Sequence, residues 1–195
     1  SDKYNQDYIK NKDEKIDKEF YLNTRFFLDN LLLSGKVIFN DPISVYVTKV
    51  SKYILVDQPE LFNKLRFYTI KSNVANAFST DQGIIFITTG LMARVENEAQ
   101  LAFILAHEIS HYSAKHVKNS YIKRKEIDNS MNSSERYDSD FYNNSLQLLS
   151  KYNKNNELVA DHLAMNLFTQ TEYDISESKN ALNLLSMDEP YRWVG

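Results

Sequence analysis

Two histidines and one glutamate stand at a fixed spacing directly after an uncharged apolar stretch of this 195-residue chain. His107, Glu108 and His111 form the pattern His-Glu-x-x-His, and residues 101–106 before them read Leu-Ala-Phe-Ile-Leu-Ala. Because residues four apart share one face of an α-helix, both imidazoles can reach one metal ion, with Glu108 beside them. Buried imidazoles and carboxylates need partners, which makes two polar residues on a solvated face a poor alternative. The feature therefore predicts a largely buried helix that carries a metal site.

The third metal ligand has to come from elsewhere in the chain, since a catalytic zinc takes three protein ligands. The chain has no cysteine, so only His, Asp or Glu can serve. Glu157 and Asp161 lie one helical turn apart, and we predict that Glu157 binds the metal. Asp161 is expected to accept the N–H of a ligating imidazole. Two surface carboxylates on a solvated helix are the alternative.

The two remaining histidines are expected to lie outside the set of metal ligands. His116 follows His111 by five residues, about 140° around an unbroken helix, which favours a packing or surface role. His162 has the same offset from Glu157. An oxyanion also needs a stabilising group, and spacing selects none of the candidates. These candidates include Tyr112, Tyr152, Tyr191 and Arg192.

Helical spacing and turn residues outline the rest of the chain. Asn97 followed by Gln100 resembles a capping box for the motif helix, which we expect to run to about Lys118. Other helices are expected over 13–33, 42–54, 158–168 and 176–187, with a strand as the alternative at 42–54. Two neighbouring antiparallel strands are expected over 65–70 and 84–88. One domain is expected over 1–195, with a loosely ordered arm at 1–12. Residues 119–156 form a polar excursion, which is expected to be either a long loop that carries a helix or a plain exposed segment.

The two motifs together resemble the gluzincin pattern and, more narrowly, zinc metallopeptidases of the prenyl-CAAX endopeptidase and HtpX type in their soluble bacterial branch. The segments 76–78, 83–91 and 98–102 are similar to that family as well, and the likeness covers about residues 43–185. It implies an α+β, mostly helical, zincin-like domain whose small β-sheet packs against the active-site helix. It also implies one zinc ion per chain, and a substrate cleft lined by Asn76, Ala77 and Phe78, for which a turn or strand-end role of Asn76 is the alternative.

The resemblance and the motif together predict a zinc-dependent endopeptidase. Water on the zinc is the expected nucleophile and Glu108 the expected general base. An edge strand beside the cleft favours unfolded or extended polypeptide as substrate. The alternatives are a zinc-bound but gated or inactive binding or chaperone-like module of the same fold, and a hydrolase that acts on something other than peptide.

Charge and hydropathy limit the partners and the compartment. The net charge of -3 offers no basic field for nucleic acid. The apolar runs are far shorter than the roughly 20 residues that cross a bilayer. The chain begins at Ser1, which indicates a processed or engineered fragment from which an upstream signal or lipid anchor could have been removed, and we expect an exported location. Glu189-Pro190 and Arg192 match the family's C-terminal pattern poorly, and the oligomeric state stays open.

Overall fold

The computed structural model describes the backbone of residues 2–130 and 139–186, and within them the side chains of 14–128 and 153–184. The expected α+β, mostly helical class is confirmed. In chain order the elements are α1 (Asp2–Leu33), β1 (Val37–Ile38), α2 (Pro42–Ile54), α3 (Pro59–Phe62), β2 (Arg66–Ile70), β3 (Ala77–Ser79), β4 (Ile84–Thr88), α4 (Thr89–Met92), α5 (Glu98–Ser113), α6 (His116–Ser130), α7 (Ser139–Phe168) and α8 (Glu177–Ser186).

The sheet has the strand order β1-β2-β4-β3, and its central pair corrects an expectation. β2 and β4 run parallel, whereas antiparallel neighbours were expected. The reason is β3, a three-residue strand whose sequence, Ala-Phe-Ser, carries little strand signal. β3 reverses the chain and forms an antiparallel hairpin with β4 through a turn that contains Gly83 at a φ of 77°. The turn residues predicted at 81–83 therefore lie in a turn, but that turn joins β3 to β4.

The two faces of the sheet contact different helices. Alternate residues such as Phe67, Ala77 and Ile85 join the main core, which includes α2, α5, α7 and α8. The other face, which includes Phe86, packs against Leu28 of α1. This alternation follows from the two-residue period of a strand. The sheet therefore lies between α1 and the helices that build the site.

The helix of the His-Glu-x-x-His motif is α5, and it is buried throughout its middle. Asn97 caps it by accepting a hydrogen bond from the Gln100 N–H at 3.0 Å, as expected. All side chains from 100 to 111 are buried, including both histidines and Glu108. The helix ends at Ser113, five residues before the expected Lys118. A buried central helix of this kind holds polar side chains at fixed positions.

The early end of α5 is produced by a single backbone feature. Lys115 has a φ of 54°, in the left-handed region that continues no α-helix, and α6 starts at the next residue, His116. No Gly or Pro marks this break in the sequence. The expectation that His116 continues the motif helix is therefore wrong, because the chain changes direction between the two residues.

Several other expectations concern the extent of helices. The region 42–54 is the helix α2, not the strand that its β-branched residues made the alternative. The polar stretch 119–156, expected as a loop with a helix, is helical over 119–130 and 139–156. α1 has helical backbone over 2–12 as well, and its loose attachment there stays a prediction, as does the division into one domain.

In the ranges 2–130 and 139–186 the structure contains no helix long and apolar enough to cross a bilayer.

Candidate metal centre and active site

Two helices that are distant in the sequence bring three ligand atoms together. His107 Nε2 lies 3.0 Å from His111 Nε2 on α5. Glu157 on α7 places Oε2 at 3.4 Å from His107 Nε2 and Oε1 at 3.5 Å from His111 Nε2. Within the part of the chain that the structure describes, these three residues are the group whose ligand atoms lie within 4.8 Å of one another. The structure therefore juxtaposes the three residues that were predicted as ligands.

The distances fit a tetrahedral zinc ion. Ligand bonds of 2.0–2.1 Å at tetrahedral angles place neighbouring ligand atoms about 3.3 Å apart. The three observed separations, 3.0, 3.4 and 3.5 Å, bracket that value. Imidazole nitrogen and carboxylate oxygen are also the donors that zinc accepts when cysteine is missing.

The outer nitrogen of His107 has its own partner. Asp161, one turn after Glu157 on α7, places Oδ1 at 2.9 Å from His107 Nδ1. An ionised carboxylate only accepts hydrogen bonds, so a proton on Nδ1 would face this oxygen and leave the Nε2 lone pair for a metal. Asp161 therefore lies beside the outer nitrogen of His107, and its part in orienting a ligating imidazole stays a prediction.

The outer nitrogen of His111 has a partner that the sequence did not reveal. His116, at the start of α6, is buried and places Nδ1 at 2.9 Å from His111 Nδ1. Burial lowers the pKa of His116 to about 4, so its ring is neutral near pH 7. The expected packing or surface role is therefore corrected to a direct contact with His111, which the turn at Lys115 makes possible. No turn residue in the sequence signalled this arrangement.

These contacts favour the binding of a cation between the three converging side chains. With the protons of both imidazoles on their Nδ1 atoms, two nitrogen lone pairs and a carboxylate converge with no hydrogen between them. Such a group of acceptors is satisfied by a metal cation. His162 is exposed on α7 and is not in the convergent group, in agreement with its expected exclusion.

The remaining predicted residues lie around this centre. Glu108 follows His107 directly on α5 and is only 4% exposed. Tyr112 packs near Gly83 in the β3–β4 turn. The side chain of Tyr152 and the residues Tyr191 and Arg192 lie outside the described residues, as does the Glu189-Pro190 pair. The group that stabilises an oxyanion therefore stays open.

The segment predicted to line the substrate cleft leads into the edge strand of the sheet. Ala77 contributes to the core that contains α5, whereas the ring of Phe78 stacks on Phe86 at 5.1 Å on the face toward α1. Asn76 precedes β3 and is tied to β4: its carbonyl accepts from the Thr88 N–H at 3.0 Å, and its N–H donates to Thr88 Oγ1 at 2.9 Å. The backbone of this segment is therefore well fixed.

The loop before β3 is held equally closely at Gly90. The Gly90 N–H donates to the Ser72 carbonyl at 2.7 Å, and a Cβ at this position would lie 2.4 Å from the Asn73 carbonyl oxygen. Only glycine permits this close backbone approach. Thr88 Oγ1 adds a hydrogen bond to the Val74 carbonyl at 2.7 Å. The start of β4 and α4 therefore positions the chain that enters the edge strand.

Comparisons with known proteins agree with this geometry. The family model of peptidase family M48 matches residues 51–188, a span longer than half of the chain. The beta-barrel assembly-enhancing protease of Yersinia pestis is 26% identical over 102 residues, which is 52% of this chain and 21% of that protein. A putative beta-barrel assembly-enhancing protease of Vibrio cholerae is 24% identical over 106 residues, 54% of this chain and 22% of that protein.

A third relative comes from a eukaryote. The mitochondrial metalloendopeptidase of Schizosaccharomyces pombe is 32% identical over 75 residues, 38% of this chain and 22% of that protein. The matched stretches of this chain span about a fifth of the length of these relatives. The predicted metallopeptidase identity is confirmed at the level of the family. With the motif on a buried helix and Glu157 brought close to it by α7, the chain belongs to peptidase family M48.

Proposed function

We propose that this chain is a zinc-dependent endopeptidase domain that hydrolyses peptide bonds in unfolded or extended polypeptides. The observation that carries the proposal is the convergence of His107, His111 and Glu157 from two helices at tetrahedral ligand spacing. Three protein ligands leave one position of a tetrahedral ion for water or substrate, which is typical of a catalytic zinc site.

Each residue of the centre has a defined part in the proposed reaction. His107, His111 and Glu157 would hold the zinc ion, which would supply a Lewis acid for the scissile carbonyl and for the attacking water. Glu108 accepts a proton from that water as the carbonyl is attacked and then donates it to the leaving amine nitrogen. Asp161 keeps His107 in the tautomer that presents Nε2 to the metal.

Digestion of unfolded casein tests the activity. We expect the zinc-loaded chain to cleave casein at several internal bonds, mapped by mass spectrometry. Removal of zinc with a chelator should abolish cleavage and re-addition should restore it, because the ligand set holds no other electrophile. A compact disulfide-bonded protein serves as the second substrate and is expected to stay intact, since its chain cannot adopt an extended conformation in a cleft.

The opposite result would favour another function. A chain that binds one equivalent of zinc and leaves casein intact contradicts an endopeptidase and favours the gated or inactive binding module. The prenyl-CAAX and HtpX-type assignment and the exported location stay predictions, and polypeptide is the partner that the proposal requires.

The edge strand β3 supports the choice of an extended substrate. Residues 76, 78 and 80 direct their backbone hydrogen-bonding groups toward β4. The Thr88 N–H donates to the Asn76 carbonyl, and the Thr80 N–H donates to the Ile84 carbonyl. In an antiparallel ladder the residues between them, Ala77 and Ser79, direct their N–H and C=O groups to the other side. An extended peptide can therefore pair with these two residues as an added strand.

Backbone N-methylation of a peptide substrate tests this pairing. Each peptide of a series carries one N-methylated backbone amide at a different position, and the scissile amide is never methylated. We expect kcat/KM to fall when the methyl group is on every second amide. A methylated amide that faces β3 loses a hydrogen bond, which costs about 1–3 kcal/mol and thus roughly 5- to 150-fold in rate. Amides that face away should lose less than about threefold. Losses without a two-residue period would contradict strand addition.

A further inference from the structure

We propose that His116 is a positioning residue for metal binding, which accepts the Nδ1–H of His111 at its own Nδ1 and so directs His111 Nε2 to the metal. This inference rests on the metal centre of the proposed function. His116 does not touch substrate or the reacting atoms, and it acts through His111.

The geometry uses both nitrogens of His111 in different ways. Its Nδ1 lies 2.9 Å from His116 Nδ1, while its Nε2 faces His107 and Glu157 at 3.0 and 3.5 Å. A neutral imidazole has one donor and one acceptor nitrogen. If Nε2 keeps its lone pair for a metal, Nδ1 carries the proton, and His116 Nδ1 is the acceptor within reach. His116 in turn carries its own proton on Nε2.

His116 therefore lies beside the outer nitrogen of His111 as Asp161 lies beside that of His107. The two contacts have the same length, 2.9 Å, and each one involves the nitrogen that points away from the converging atoms. They differ in charge, since a carboxylate is a stronger acceptor than a neutral imidazole. The two histidines thus face different partners, a carboxylate at His107 and an imidazole at His111.

A role of His116 as a fourth ligand is disfavoured by the same geometry. Its Nδ1 is engaged behind His111, and the convergent ligand group among the described residues contains His107, His111 and Glu157 only. A fourth protein ligand would also close the position that hydrolysis needs. The contact therefore supports an open site, not a closed structural one.

The helix that starts at His116 is fixed on both sides, which keeps the ring in place. Toward α1, Lys118 and Lys125 form ion pairs with Asp17 and Glu19 at 2.9 and 2.5 Å. Toward α7, the Asn156 side chain donates to Ser120 Oγ at 3.1 Å, directly before the ligand Glu157. A fixed supporting residue is what precise orientation of a ligand requires.

Three substitutions at this position separate hydrogen bonding from simple packing. Asn places its Oδ1 where His has Nδ1, because both atoms are bonded to Cγ. Gln is one bond longer and places its oxygen elsewhere. We expect His116→Ala and His116→Gln to weaken zinc binding about 10- to 100-fold, the usual effect of losing such a partner. His116→Asn should stay within about threefold of the wild type, because the acceptor is restored.

The measurement is a zinc titration against a chromophoric chelator near neutral pH, with the unfolding temperature of each zinc-free variant recorded beside it. Affinity of His116→Ala equal to that of the wild type would overturn the proposal. Equal losses for Asn and Gln would overturn it as well, since a packing defect treats both alike. If His116→Ala fails to fold, the comparison of Asn with Gln decides.

Zinc affinity is measured without a peptide substrate. A failure of the proposed endopeptidase activity can therefore be distinguished from a failure of the proposed role of His116. A wild-type chain that binds zinc but cleaves no casein contradicts the endopeptidase and leaves the comparison of zinc affinities meaningful.

Discussion

Replacing Glu108 by Gln is expected to abolish casein cleavage while zinc remains bound. The amide has nearly the same shape as the carboxylate, so the buried position on α5 stays filled. It cannot accept a proton from the attacking water, and the loss of a general base costs about 10²- to 10⁴-fold in rate. We expect kcat to fall by at least 100-fold, measured as the initial rate of peptide cleavage at saturating substrate.

The matched control is Glu60→Gln, which makes the same chemical change on the exposed surface of α3. It should leave both the rate and the zinc affinity unchanged. Near wild-type activity of Glu108→Gln at full zinc occupancy would show that another group removes the proton. Loss of zinc from Glu108→Gln would instead point to Glu108 as a ligand.

Replacing Glu157 by Ala is expected to lower zinc affinity by more than about 100-fold, since a direct ligand matters more than a residue that only orients one. The carboxylate oxygens of Glu157 lie 3.4 and 3.5 Å from the two Nε2 atoms, and α5 supplies no substitute for them. The side chain is partly exposed and is not among the apolar residues of the main core, so its removal leaves the packing of that core in place. The zinc-free variant should therefore unfold at nearly the wild-type temperature.

Thermal unfolding with and without zinc measures this effect. Zinc at 100 times its dissociation constant stabilises the folded wild type by about 2.7 kcal/mol. For a chain of this size that raises the unfolding temperature by about 5–11 °C. Glu157→Ala should lose most of the shift, whereas Glu60→Ala should keep all of it. Tight, stoichiometric zinc binding by Glu157→Ala would place the third ligand elsewhere in the chain.

The residues that converge at the candidate metal centre could be predicted because helical spacing is a local property. His107 and His111 share a face of α5, and Glu157 and Asp161 share a face of α7, whatever the rest of the chain does. The parallel pairing of β2 with β4 could not be predicted in this way. It depends on a short intervening strand, β3, whose three residues show no clear period.

The contact of His116 with His111 was hidden for a related reason. A helix usually changes direction at Gly or Pro, and here the left-handed residue is Lys115, which nothing in the sequence distinguishes. The polar part of α7 before residue 158 was missed because it shows no clear apolar period, and its described end is attached to α6 by a hydrogen bond from Asn156 to Ser120. Both features arise from tertiary contacts.

The placement of α1 determines how far the beginning of this chain can be shortened. Leu28 of α1 covers the face of the sheet on which Phe86 is fully buried and Phe78 and Tyr68 pack around it. A truncation that removes the second half of α1 would uncover an aromatic surface on an open sheet. Such a surface promotes self-association. Shortened forms that retain the entire metal centre would therefore aggregate even though the residues of the site are present. Trimming that stops before Ile16, the first buried apolar residue described on α1, avoids this cost.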